Sequence, residues 1–215
     1  ADGGLGLDEA GHLGVGGVHH QQVHALFADL AEFVVFGQCV FGQGNENSPL
    51  ALVGEAPGRF EAEQGLPFVG TAGKNLDALL AMADIRREEI YITNAVKFRP
   101  ARPGKRAGTF TNRPPAAKEI ARCRDYLLKE LSVVQPEIVA TLGNTPLRAL
   151  LGQAAPAIGG VHGKLLKTDE FPFQIFPLYH PASVIYNRAL SDALEEDMRA
   201  LGELMRQNES ADASV

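Results

Sequence analysis

Two cysteines, Cys39 and Cys123, are the only thiols in 215 residues, and they form no CxxC pair. That is too few for a disulfide framework, which excludes the small stapled scaffolds of secreted domains. No apolar run approaches the ~20 residues that a bilayer-spanning helix needs. The basic and apolar regions of a secretory leader are also missing, so the expectation is an intracellular, reducing compartment. Neither lysine nor arginine appears before Arg59, while seven glycines and four of the six histidines fall in the first 25 residues. That stretch has no helical or strand period and is expected to be a flexible tail. His19, His20 and His24 lie in it, but no carboxylate or cysteine pattern completes a metal site. There is no internal repeat. A length of 215 residues with 45% apolar content suits one domain with a sizeable core.

The formal charge of −6 argues against a nucleic-acid partner only if it is evenly spread. Residues 97–124 hold nine lysines and arginines, among them Lys97, Arg99, Lys105, Arg106 and Arg113, against Glu119 alone. That segment therefore carries +8 and the remainder −14, an asymmetry that suggests a local polyanion-facing surface. A solvated loop and helix face explains the same charge equally well.

From Ser48 onward strand and helix patterns alternate. LALVG at 50–54, EEIYITN at 88–94, EIVATLG at 137–143 and FQIFPLYH at 173–180 are strand patterns. Helical spacing occupies 71–85, 115–134, a short stretch begun by an Asn144 cap and ended at Gly152, and 188–206. This alternation predicts an α/β fold, a three-layer αβα sandwich around a central, mostly parallel four-stranded sheet.

Open parallel sheets bind ligands beyond the carboxyl ends of their strands. The four predicted strands deliver Glu55, Asn94, Asn144 and His180 there. Each has an ordinary alternative: a turn residue, a cap, a satisfied histidine. Phe68, in the GLPFVG loop, is equally plausible as core. Their joint placement at one rim is what favours a site. A carboxylate, an amide, an imidazole and a ring together suit a planar polar ligand, with the charged pair acting at a bond that leaves the ring. Neither a nucleophilic serine or cysteine with a base nor a metal-ligand set is evident.

The same residues carry a resemblance. GEAPGRFEAEQGLPFVGTAG at 54–73, YITNAVKFRP at 91–100, LGNTPLRALLG at 142–152 and HPAS at 180–183 resemble the uracil-DNA glycosylases, most closely family 4 and its X-type relatives. The resemblance covers most of the chain from about Val40. It implies a domain over 40–207, preceded by a divergent segment at 1–39 and followed by a short tail at 208–215. It also implies roles. Glu55 orients and partly deprotonates the attacking water, Phe68 stacks on the flipped uracil and Asn94 pairs with its edge. His180 donates toward uracil O2. Ala56 lies beside the base, and Glu61 narrows the pocket against a thymine methyl. Arg99, Lys105, Arg106, Arg113, Asn144, Ser183 and Val184 would hold the DNA, with Ile185 beside them. The implied partner is uracil-containing DNA, single- or double-stranded, handled by a monomer in the cytoplasm or nucleoid of a bacterial or archaeal cell.

Departures from the family are specific. Family 4 holds a [4Fe–4S] cluster on four cysteines, and here only Cys123 matches; Phe98 stands where a second is expected, and Cys39 is out of register. Two thiols cannot hold such a cluster, so no iron–sulfur cofactor is expected. The loop at 99–115 contains no histidine of the kind that traps uracil covalently in X-type enzymes, so turnover is expected. Val161-His162-Gly163 replaces an Arg-Gly pair. The competing readings are a catalytically weak uracil- or nucleic-acid-binding homologue and a nucleotide-binding α/β protein.

Overall fold

The computed structural model describes residues 37–183 and 187–212, all within one compact unit, Val34–Val215. The tail histidines, the divergent segment before residue 37, Val184 and Ile185 lie outside the described residues. Five strands form the central sheet: β1 (Gln43–Gly44), β2 (Leu50–Gly54), β3 (Tyr91–Asn94), β6 (Ile138–Leu142) and β7 (Gln174–Leu178), in the order β1-β3-β2-β6-β7. The last four are parallel, as the sequence predicts. β1 adds an antiparallel edge through Gln43 and Gly44 opposite Ile92 and Tyr91. At two residues it is too short to leave a period in the sequence. A separate hairpin, β4 (Ala101–Pro103) with β5 (Phe110–Asn112), occupies the basic loop.

Every residue of β2 is buried because both faces of the sheet are covered. Leu50 and Leu52 point to one cluster with Leu76, Leu80, Leu194 and Met198; Ala51 and Val53 point to the other with Leu127, Leu131, Leu147 and Ile175. This is the two-residue alternation of a strand, doubled because neither side meets water. The first cluster is roofed by helices α2 (Thr71–Met82) and α6 (Arg188–Asp212), the second by α3 (Ala117–Val134) and α4 (Asn144–Leu151). Short helices α1 (Arg59–Gln64) and α5 (Ile158–Val161) complete the chain. Along α3 the buried Cys123, Tyr126, Leu127, Leu131 and Val134 repeat at three and four residues, the spacing of a single helical face. Helix α6 extends six residues past the predicted stop, since nothing in the polar end of its sequence breaks a helix.

The chain runs from β2 to β3 on one side, then crosses to β6 and β7 on the other. The connections after β2 and β6 therefore leave in opposite directions. Their ends border the crevice where open α/β sheets take ligands.

Candidate active site

Glu55 follows β2 directly. The sheet pairing continues beyond the strands there, with Ala95 N–H donating to Gly54 O (2.8 Å) and Val96 N–H to Glu55 O (3.0 Å). That fixes Glu55 beside Asn94, the last residue of β3. Gly54 permits the approach: a Cβ there would lie 2.4 Å from the Asn94 Oδ1 and 2.6 Å from the Phe68 ring. Phe68 itself has φ +54°, a left-handed conformation that is rare for a bulky residue. The loop is held from two sides. Glu61 Oε1 accepts N–H bonds from Val69 (3.1 Å) and Gly70 (2.7 Å). Arg87 donates to the carbonyls of Pro67 (3.0 Å) and Phe68 (3.3 Å) and pairs with Asp77. Strain of this kind, roughly 1–3 kcal/mol, persists only where the surroundings over-determine it.

His180 arrives after β7, its ring 6.3 Å from that of Phe68 with 28° between planes. Ala182 N–H donates to His180 Nδ1 (3.1 Å), so in the neutral ring the proton sits on Nε2. Burial pushes the imidazole below the usual histidine range, opposed by the Glu55 carboxylate. The neutral Nε2–H donor is thus the favoured form. Ser183 closes the turn, donating through its N–H (2.9 Å) and its hydroxyl (2.7 Å) to His180 O.

Glu55, Ala56, Glu61, Phe68, Asn94 and His180 all line one cavity of about 350 Å³. Six residues expected at a base-sized site are brought together from three stretches of the chain, 55–68, 94 and 180. Arg113, also on its wall, directs both terminal nitrogens to Glu119 (2.7 Å each), and the pairing raises the guanidinium and lowers the carboxyl. Glu119 also accepts the Ala116 N–H (2.6 Å), which caps α3.

Several expectations need correction. Lys97, counted among polyanion-facing cations, is fully buried; its Nζ donates to Thr93 Oγ1 (2.8 Å), Asn94 O (2.7 Å) and Glu130 Oε2 (2.6 Å). Its partner lies 33 residues away on α3, so charge counting along the chain could not find the pair. Arg124, from the same basic stretch, bonds Ala149 O and Leu150 O at the end of α4, and Glu170 in the loop before β7. Arg99 braces the hairpin through Asn112 Oδ1 and Phe110 O, while Lys105 and Arg106 are exposed at its turn. Asn144 does not cap its own helix. Gly143, at φ +97°, holds that position because the turn out of β6 needs a left-handed residue. Asn144 Oδ1 instead accepts the Ile158 N–H (2.9 Å), joining α4 to α5. In the Val161-His162-Gly163 turn, His162 Nδ1 meets Asp197 Oδ2 at 2.7 Å and the His162 ring packs on Tyr179.

The residue that sequence reasoning missed is Thr145, whose hydroxyl donates to Glu55 Oε2 at 2.6 Å. Its place just past the end of the third predicted strand was the available signal.

The profile of the uracil DNA glycosylase superfamily matches residues 41–202. The chain belongs to the uracil DNA glycosylase superfamily. A type-4 uracil-DNA glycosylase of Archaeoglobus fulgidus is 37% identical over 168 residues, 76% of this chain and 80% of that protein. Those of Saccharolobus solfataricus (36%, covering 76% of this chain and 74% of the relative) and Thermotoga maritima (35%, 70% and 73%) are similar to it as well. Within this superfamily the type-4 resemblance implies a four-cysteine iron–sulfur cluster, and the residues here do not fit one. Cys39 and Cys123 are the only thiols of the chain. Phe98, at the place of another, is a buried core side chain. Burial pushes the Cys39 thiol up to about 11, with Cys123 adding to it and Lys97 opposing; Cys123 is raised by burial too. Among the described residues no group of three or more His, Cys, Asp or Glu is placed to hold a metal ion, and no helix is long and apolar enough to cross a membrane.

Proposed function

We propose that this chain is a uracil-DNA glycosylase that hydrolyses the N-glycosidic bond of deoxyuridine in DNA, flipping the base and leaving an abasic site. The observation that carries the reading is the convergence of Glu55, Asn94, His180 and Phe68 on one cavity large enough for a pyrimidine. The target base leaves the stack, which costs a few kcal/mol and is least for unpaired or mismatched bases. Phe68 covers one face of the uracil, and the Asn94 amide reads its hydrogen-bonding edge. As the bond from C1′ to N1 breaks, its electron pair moves onto the base and the sugar becomes oxocarbenium-like. The His180 Nε2–H donates toward O2, where that charge collects. Glu55 stabilises the cationic sugar and takes a proton from the water whose oxygen bonds to C1′.

We further propose that this chemistry proceeds without an iron–sulfur cluster, with apolar packing by the buried Phe98 and its neighbours taking its structural place. No step above involves a metal.

The deciding experiment incubates the purified protein, its iron content measured, with a uracil-containing oligonucleotide in the presence of EDTA, followed by alkaline strand cleavage. Cleavage by protein with well under one iron per chain is expected. Glu55→Ala should lose about 10²–10⁴-fold in rate, the range for a positioned acid–base group. Uracil-specific binding without cleavage would identify a weak binding homologue instead. Cleavage unaffected by Glu55→Ala would overturn the mechanism.

A further inference from the structure

Glu55 and Thr145 face each other across the crevice between β2 and β6. Glu55 is the first residue past β2, and Thr145 lies in the first turn of α4, directly after β6. The Thr145 hydroxyl gives Glu55 its one side-chain hydrogen bond among the described residues, at 2.6 Å to Oε2. A hydroxyl-to-carboxylate bond of this length belongs to the strong, charge-assisted class.

A second cavity, of about 570 Å³, adjoins the first along Glu55, His180 and Ala182. Thr145, Asn144, Tyr179 and Ser183 line it, and Glu55 and His180 line both cavities. Thr145 borders only the second. Its bond occupies Oε2 and leaves Oε1 as the oxygen without a side-chain partner among the described residues. Thr145 is a stiff donor. Its β-branched side chain restricts χ1.

We infer that Thr145 is a positioning residue for the reaction. It commits one oxygen of Glu55 and so aims the other at the attacking water. Without it the carboxylate can rotate about its last torsion, which is broad and soft in glutamate. Displacements of this scale at a reacting group cost up to about 10²-fold in rate even when binding is intact. The inference rests on the reading of Glu55 as the water-activating group.

The test is single-turnover excision from a uracil-containing oligonucleotide by wild type, Thr145→Val, Thr145→Ser, Glu55→Ala and the Glu55→Ala/Thr145→Val double variant. DNA affinity and thermal unfolding are measured on each. Thr145→Val keeps the side chain's shape and removes the donor, so excision should slow by about 10- to 100-fold with DNA affinity held within about twofold. Thr145→Ser restores the hydroxyl and should recover most of the rate. In the Glu55→Ala background Thr145→Val should have no further effect, because its only route to the chemistry is gone. A purely structural role would instead slow both backgrounds alike, and that result would overturn the assignment. So would a Thr145→Val enzyme with full activity beside an inactive Glu55→Ala. Full activity of Glu55→Ala would remove the premise itself, a distinguishable failure.

Discussion

Thr93 and Asn94 are neighbours at the end of one strand, and their side chains enter opposite worlds. Thr93 faces α3, where its hydroxyl, Lys97 Nζ and Glu130 bond to one another in full burial and Gly42 N–H closes on the second carboxylate oxygen. All three protons of the Lys97 ammonium have protein acceptors. Asn94 faces the cavity shared with Glu55 and His180. Both regions are polar, both are largely hidden from water, and both stand at the same edge of the sheet. What separates them is unused hydrogen-bonding capacity. The interior joint is saturated by its own members and can do nothing but hold β3, α3 and the approach to β1 together. The rim keeps donors and acceptors aimed at empty space, which is what recognition and catalysis require.

The largest contrast comes from removing one partner in each region. Lys97→Met leaves Glu130 buried and unpaired, which should cost about 3–5 kcal/mol. For a chain of this size that lowers the melting temperature on the order of 10 °C. Adding Glu130→Leu should recover much of the loss, since an apolar pair of similar volume replaces a buried ion pair well. Glu55→Ala should do the reverse, lowering activity by orders of magnitude while costing only about 1 kcal/mol of stability for the one half-exposed hydrogen bond it loses. Thermal unfolding beside the excision assay reads both. A Lys97→Met protein that melts like wild type would erase the distinction.

How far each region was legible follows from the same physics. The rim could be read because strand ends are local: LALVG, YITN and the apolar run before His180 announce where their side chains emerge. The joint could not be, because Lys97 meets an acceptor 33 residues away and its charge looks like any other in a basic segment. The left-handed Phe68 was hidden as well, since its conformation is imposed by Glu61 and Arg87 rather than by its own sequence. The hairpin hid β4 and β5 for another reason. Three-residue strands rich in arginine, proline and asparagine carry no two-residue hydrophobic period.

A smaller effect separates the two regions by pH. His180 is held below the ordinary histidine value of about 6.5 by burial, against the pull of Glu55. The unfolded chain therefore binds more protons at this site as pH falls through 6.5, and stability must decline with it. The contribution of the neutral ring is complete above about pH 6.5 and is lost as pH falls toward the lowered folded value. Protonation also places a hydrogen on Nδ1, opposite the Ala182 N–H. Denaturant unfolding at several pH values should show an acid-side slope that His180→Gln reduces, and excision by wild type should fall over the same window. An unchanged slope in His180→Gln would assign the acid sensitivity elsewhere.

The smallest effect extends the comparison to the basic stretch, where saturated and open cations alternate along one segment. Arg124 is occupied by Ala149 O, Leu150 O and Glu170, whereas Lys105 and Arg106 are exposed at the turn of the hairpin whose Asn112 reaches the cavity wall. A cation that neutralises a phosphate releases condensed counterions, so its loss reduces the slope of log affinity against log salt by about one. Lys105→Ala and Arg106→Ala should each lower the slope for uracil-containing DNA by roughly that amount, with little change in the single-turnover rate at saturating protein. Arg124→Ala should leave the slope in place and reduce thermal stability instead. Equal slope changes at Arg124 and Lys105 would mean that hydrogen bonds made inside the protein do not mark a cation as structural, and the division drawn between Thr93 and Asn94 would not extend beyond β3.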